Sequence, residues 1–323
     1  EPFNVAVGAS AGLSVTTGIQ NTLIGGLAGD AITTANNNTG VGKTALGANT
    51  TGGENTAVGT NALATNTTAS DNTAVGTNAG YSNTTGTRGT YLGKGAGYTN
   101  ATSGDDTAVG YNALYTNTGG ANTAVGSQAL TLNTTGAWNS GLGYGVLRAN
   151  TSGDNNVAVG ANALDANTTA DNNTAVGYNS LTANTTGANN TALGYLALDA
   201  NTTAANNTAV GRDSLGANTT GAQNTAVGQT AGAGITTGDY NQAFGYQSMS
   251  GGTVTGDSNS GFGAATLYAL TSGANNVAVG RNALIANTTA SNNVAVGYQS
   301  LLANTTGTNN NSVGMNSMVI NTT

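Results

Sequence analysis

The sequence predicts an all-β fold, a parallel β-solenoid or β-roll built from nineteen rungs of 17 residues. Three observations carry that reading. A glycine that follows a small apolar pair returns at Gly8, Gly25, Gly42, Gly59 and onward to Gly314, nineteen times from end to end. Columns of like residues keep their phase around that glycine. Thr, Asn and Gly fill most of each unit, and these weak helix formers leave no 3.6-residue apolar stripe longer than two turns. Only two intervals depart from 17, being 16 after Gly110 and 18 after Gly245. Both are expected between the Asn-Thr-Thr triplet and the next Asn, a stretch that therefore reads as a loop.

Taking one rung in order, it opens on a short strand of about four residues. The residue before the glycine is apolar in every unit (Val7, Ile24, Val41, Leu193, Phe244), so this column is expected to face the core. The residue before that is mostly Ala, with Leu23 and Tyr91 as exceptions, and alternation along a strand points it to the opposite face. A flat face of Ala would suit a second copy of the chain, and two readings stand open: a homotrimer that buries it, or a thin monomeric solenoid that it lines. Two residues further back stands Asn in most units, including Asn55, Asn72, Asn173, Asn190, Asn207 and Asn224. Stacked at one rung spacing, their amides can bond head to tail as a ladder that fixes register.

After the glycine come two variable residues, then Ala or Ser, then usually Leu, as at Leu46, Leu63 and Leu164. Where Gly takes the Leu position, as at Gly12, Gly80, Gly97 and Gly232, a Leu, Tyr or Ile one to three residues later is expected to refill the core. The unit closes on Asn-Thr-Thr and a Gly or Ala bend. At roughly 4.8 Å per rung, the array would make a rod on the order of 90 Å long. Residues 1–323 read as a single repeat domain, and the end at Thr323 in mid-unit without a polar cap suggests a segment of a longer fibre or of an end-to-end polymer.

Composition limits the function classes. Leu, Ile, Val and Phe make up only 52 of 323 residues, a level that elsewhere signals disorder, yet the charged fraction is 6% and the apolar residues are strictly phased. Cys and His are absent and the 13 acids are scattered, which argues against an enzyme, a calcium site or any cofactor. Six Lys and Arg form no basic patch, which argues against nucleic acid as a partner. No run of 18 apolar residues predicts membrane insertion.

The strings Asn4-Val5-Ala6-Val7-Gly8, Asn156-Val157-Ala158-Val159-Gly160, Asn276-Val277-Ala278-Val279-Gly280 and Asn293-Val294-Ala295-Val296-Gly297, with Ala163, Ala283 and Ser300 shortly after the glycine, resemble the head repeat of trimeric autotransporter adhesins. That resemblance implies a left-handed, homotrimeric β-roll. The longer unit, typified by 173–181, is also similar to repeats of phage tail fibres. A structural fibre for attachment outside the cell, on a cell surface or on a virion, is the function expected, with the chain itself and a cell-surface glycan or receptor as partners.

The column just after the glycine is the candidate recognition surface. It holds Tyr111, Tyr144, Tyr178, Tyr195, Tyr246 and Tyr298 among Lys43, Lys94, Arg212 and Arg281, and a row of exposed rings can stack on sugars or simply shield the sheet. Two other readings remain: a self-assembling filament without a receptor, and an ice-binding solenoid that uses the paired Thr columns. The triplets at Asn49, Asn66, Asn167, Asn184, Asn201, Asn218, Asn287 and Asn304 satisfy the N-glycosylation sequon, although a turn carrying a Thr ladder explains them more simply.

Overall fold

The computed structural model describes residues 3–321; Thr323, where the sequence ends in mid-unit, lies outside them. The chain forms two compact units that meet in sequence at Asn156 and Val157. Each unit is a parallel β-solenoid. The first carries β1 (Val5–Val7) to β9 (Ser140–Leu142), and the second β10 (Val157–Val159) to β19 (Asn311–Val313). Every strand is three residues long, and within each unit successive strands pair in strict register, as in Thr39↔Thr56, Gly40↔Ala57 and Val41↔Val58.

Hydrogen bonding from rung to rung continues well beyond the strands. The Leu63 N–H donates to Ala79 O at 3.0 Å, and the Thr67 N–H donates to Thr84 O at 3.1 Å. A rung thus satisfies much of its backbone through the next rung even where its dihedral angles are not those of a strand.

The inside and outside of the strand are the reverse of the sequence expectation. The Ala column is the buried one, with Ala57, Ala74, Ala108, Ala175 and Ala209 fully inaccessible. The column beside the glycine lies outside, with Leu92 at 46%, Leu142 at 52% and Leu193 at 47% exposure. The reason is space. The interior is so narrow that a Cβ in this column, built at Gly40, already stands 3.5 Å from Leu46, four residues after the motif glycine.

The two exceptions in the Ala column show the limit. Leu23 fits because Gly29 and Gly12 stand opposite, where an added Cβ would lie 2.7 and 3.0 Å from the Leu23 methyls. Tyr91 fits because Gly80, Gly89 and Gly97 vacate its path; a Cβ at Gly97 would run into its ring. The expected refilling by a residue just after each Gly therefore holds for Ile235, which is buried next to Gly232, but not for Leu13, which is 73% exposed.

Tight corners are made by left-handed residues. All nineteen motif glycines have φ between 115° and 147°, and a Cβ at Gly177 would collide with Gly194 O, so only glycine serves there. Three further columns have φ near +50° to +60° without being glycine. They lie two residues after it (Asn61, Asn78, Asn162), four after it (Leu63, Leu164, Leu181) and five before it (Asp71, Asn155, Asn189). Asn and Asp adopt this region readily, whereas Leu does so here with its side chain clamped in the core. In the 16-residue rung the missing position follows Thr118, inside the expected loop. The 18-residue rung takes up its extra residue earlier than expected, within 250–253, before Val254 bridges to Ile235.

Candidate functional site

The polar half of each core is an asparagine stack. The Asn55 and Asn72 side chains each donate Nδ2 to Oδ1 of the Asn one rung back, at 3.1 and 3.2 Å, and their own N–H groups bond to the same oxygen at 3.0 Å. Asn190, Asn207 and Asn224 bond through their backbone N–H to Oδ1 of Asn173, Asn190 and Asn207 at 2.8–2.9 Å, and their Nδ2 groups reach carbonyls 14 residues on at 2.8–2.9 Å. The expected ladder is present, with the backbone recruited into it.

A second ladder escaped the sequence reading. The Asn of each Asn-Thr-Thr triplet from Asn49 to Asn304 is also buried, and Asn66 donates to Asn49 Oδ1 at 3.2 Å, as Asn201 does to Asn184 Oδ1 at 2.9 Å. The signal is the strict recurrence of that Asn, which turn chemistry explains equally well. All eight sequon asparagines named above are fully buried, so a glycan on any of them has no way out of the folded chain.

In the triplet, the first Thr uses its hydroxyl on the carbonyl of the next rung, as Thr50 does on Thr67 at 3.0 Å, and the second is exposed, leaving one outward row. The strand gives a different array. Its outward columns are Thr, as at Thr56, Thr73 and Thr90, and the apolar residue next to the glycine, as at Val58, Val75 and Leu92. Phe244 and Phe262 stack on this face at 5.0 Å between ring centroids.

The predicted tyrosine column is at the surface, from 42% exposure at Tyr298 to 57% at Tyr144. Of these six, only Tyr178 and Tyr195 are brought into contact, stacked at 5.6 Å. Tyr81 and Tyr98, expected to refill the core after Gly80 and Gly97, stay partly exposed instead, and with Tyr115, all five residues after a motif glycine, they form a continuous stack at 5.1 and 4.8 Å with planes within 7°. Three aromatics at equal phase in consecutive units were a legible signal.

One ladder position is ionisable. Gly89 interrupts the first Asn ladder to admit the Tyr91 ring, and Asp106 stands in the next rung. Asp106 Oδ2 accepts from Asn100 Nδ2 at 2.8 Å, Ser103 Oγ at 2.8 Å and Asn117 Nδ2 at 3.0 Å, while Oδ1 accepts from the Asn122 N–H at 2.8 Å. Burial still outweighs these bonds and holds the Asp106 carboxyl above its ordinary range; the same burial pushes the Tyr91 hydroxyl far up. The exposed Arg88 and Asp105 pair at 2.6 Å is a surface contact of little consequence for stability.

Among the described residues, no three of His, Cys, Asp or Glu converge as a metal site, and no helix is long and apolar enough to cross a membrane. No family model matches the chain, and no curated protein matches it in sequence.

Proposed function

We propose that this chain is a non-enzymatic structural fibre for attachment at an extracellular, cell or virion surface, and that copies of it associate through the outer strand face as a homotrimer. The observation that carries this reading is the outward apolar column. Residues such as Leu92, Leu142, Leu193 and Phe262 recur at one phase on a face otherwise lined by Thr. A soluble monomer gains nothing by exposing such a row, whereas identical columns at identical spacing are complementary to copies of themselves. The adhesin-like motif supports three chains about a common axis. The assembly face therefore moves from the Ala column to the Thr and Val columns.

Light scattering tests the proposal. The intact chain should have the mass of three chains, and Leu193→Asp together with Val210→Asp should shift it to one chain while the β-type circular dichroism persists. A single-chain mass for the unmodified protein would overturn the trimer.

Ice binding keeps one favourable observation, since Thr and Val columns share one flat face at a rung spacing of about 4.8 Å. A double hydroxyl row would need Thr at both positions. Thermal hysteresis of the purified chain decides between the readings, and none is expected.

A further inference from the structure

We propose that the first unit contains a saccharide-binding cleft, which gives the attachment reading a ligand class and rests on it. Tyr81, Tyr98 and Tyr115 stack along three consecutive rungs, and the stack stops at Tyr81 because the same column continues as Ala64, Gly47 and Asp30. Tyr98 covers one face of the Tyr81 ring. The other looks into a cleft of about 330 Å³ lined by Asp30, Thr44, Gly47, Asn61, Ala64 and Tyr81 among others.

The dimensions suit one sugar ring. The Asp30 carboxylate leans over Gly47, where an added Cβ would stand 3.5 Å from its Oδ1. The Gly47 level is two rungs from Tyr81, or roughly 9.6 Å at β spacing. A pyranose lying on Tyr81 as the next member of the stack would occupy the Ala64 level. Its far hydroxyls would then face the Asp30 carboxylate, which can accept from two neighbouring O–H groups. Asn61 is oriented beforehand by donating Nδ2 to Asn78 Oδ1 at 3.1 Å, and Thr44 is fixed in the left-handed conformation that turns the rim.

The chemistry selects among sugars. An aromatic face at one end favours a pyranose with a C–H-rich face, and a carboxylate with no lysine or arginine among the lining residues disfavours sialic and uronic acids. The class is therefore a neutral hexopyranose of gluco or galacto configuration, free-ended or within a chain.

The test is an array of immobilised glucosyl, galactosyl, N-acetylglucosaminyl and sialyl oligosaccharides probed with the full chain. Binding is expected on a neutral probe and not on the sialyl set. Tyr81→Ala and Asp30→Ala should each weaken it at least tenfold, Tyr81→Phe should retain it, and Tyr240→Ala, at an exposed ring of the second unit outside the recognition column, should leave it unchanged.

Ala64→Tyr guards against misfolding as an explanation. It extends the existing stack by one ring at a spacing the neighbouring tyrosines already adopt, so it should keep the melting temperature and abolish binding. No neutral binding, or binding indifferent to Tyr81→Ala and Ala64→Tyr, overturns the cleft. Adhesion of the chain to glycan-bearing cells is read in parallel. Adhesion that survives Ala64→Tyr overturns the cleft while sparing the broader attachment role, and absence of adhesion in every variant overturns that role.

Discussion

Single residues in this chain matter mostly for what they leave unsatisfied. Asn207 is a clear case, because its Oδ1 takes the Asn224 N–H at 2.8 Å and its Nδ2 serves Gly221 O at 2.9 Å, all within the core. Replacement by Ala strands one buried donor, the Asn224 N–H, worth about 1–3 kcal/mol, while Gly221 O loses one of two bonds and keeps that from Asn218 Nδ2. Asn207→Ala should therefore destabilise the second unit by roughly 2–4 kcal/mol, measured by denaturant unfolding, whereas Thr68→Ala on the surface should change little.

Asp106 adds a dependence on pH. Its folded-state pKa lies above the ordinary aspartate value, so its ionised form is disfavoured on folding. The stability associated with it is present at low pH and is lost as pH rises through the folded pKa. Comparing melting temperatures of the wild type and Asp106→Asn from pH 7 to pH 4, the wild type should gain relative to the variant as pH falls. A difference that stays constant across that range would contradict the assignment.

At the scale of the rung, the strand is a division between a small interior side chain and a larger exterior one. Ala175→Leu should overpack the interior and destabilise by about 1–3 kcal/mol. Leu181→Gly, introduced in the same chain, should recover part of that loss, because Leu23 with Gly29 and Tyr91 with Gly97 show the same exchange. A double-mutant cycle on melting would expose the coupling, and strict additivity would count against a shared interior.

This is also where the sequence was legible in part. The 17-residue period, the strand position and the first Asn ladder could all be read, because each depends on recurrence alone. The facing of the strand could not. Val outranks Ala in hydrophobicity, and that ranking misleads when the lumen is too narrow for a branched side chain. The clue lay in the co-occurrence of Leu23 with Gly29 and of Tyr91 with Gly80, Gly89 and Gly97, which makes sense only if the Ala column points inward. The second Asn ladder was hidden by the turn propensity and sequon pattern of Asn-Thr-Thr. The Tyr81 cleft was hidden because a cleft in a solenoid is a local failure of repetition, the very thing a column-by-column reading averages away.

For the whole molecule, stability and the proposed assembly rest on one arrangement: Ala, Leu and two Asn ladders within, Thr and an apolar column without. The chain contains no cysteine, so single thiols can report on that division without background. Ala209 and Val210 are neighbours on one strand, the first fully buried and the second partly open. Alkylation rates of Ala209→Cys and Val210→Cys in the native protein are the most direct measurement. The thiol of the Ala209→Cys variant should react only on unfolding. That of Val210→Cys should react freely where light scattering finds one chain and should form chain-to-chain disulfides where it finds three. Rapid native labelling of Ala209→Cys, with the thiol of Val210→Cys protected and uncrosslinked, would contradict the arrangement.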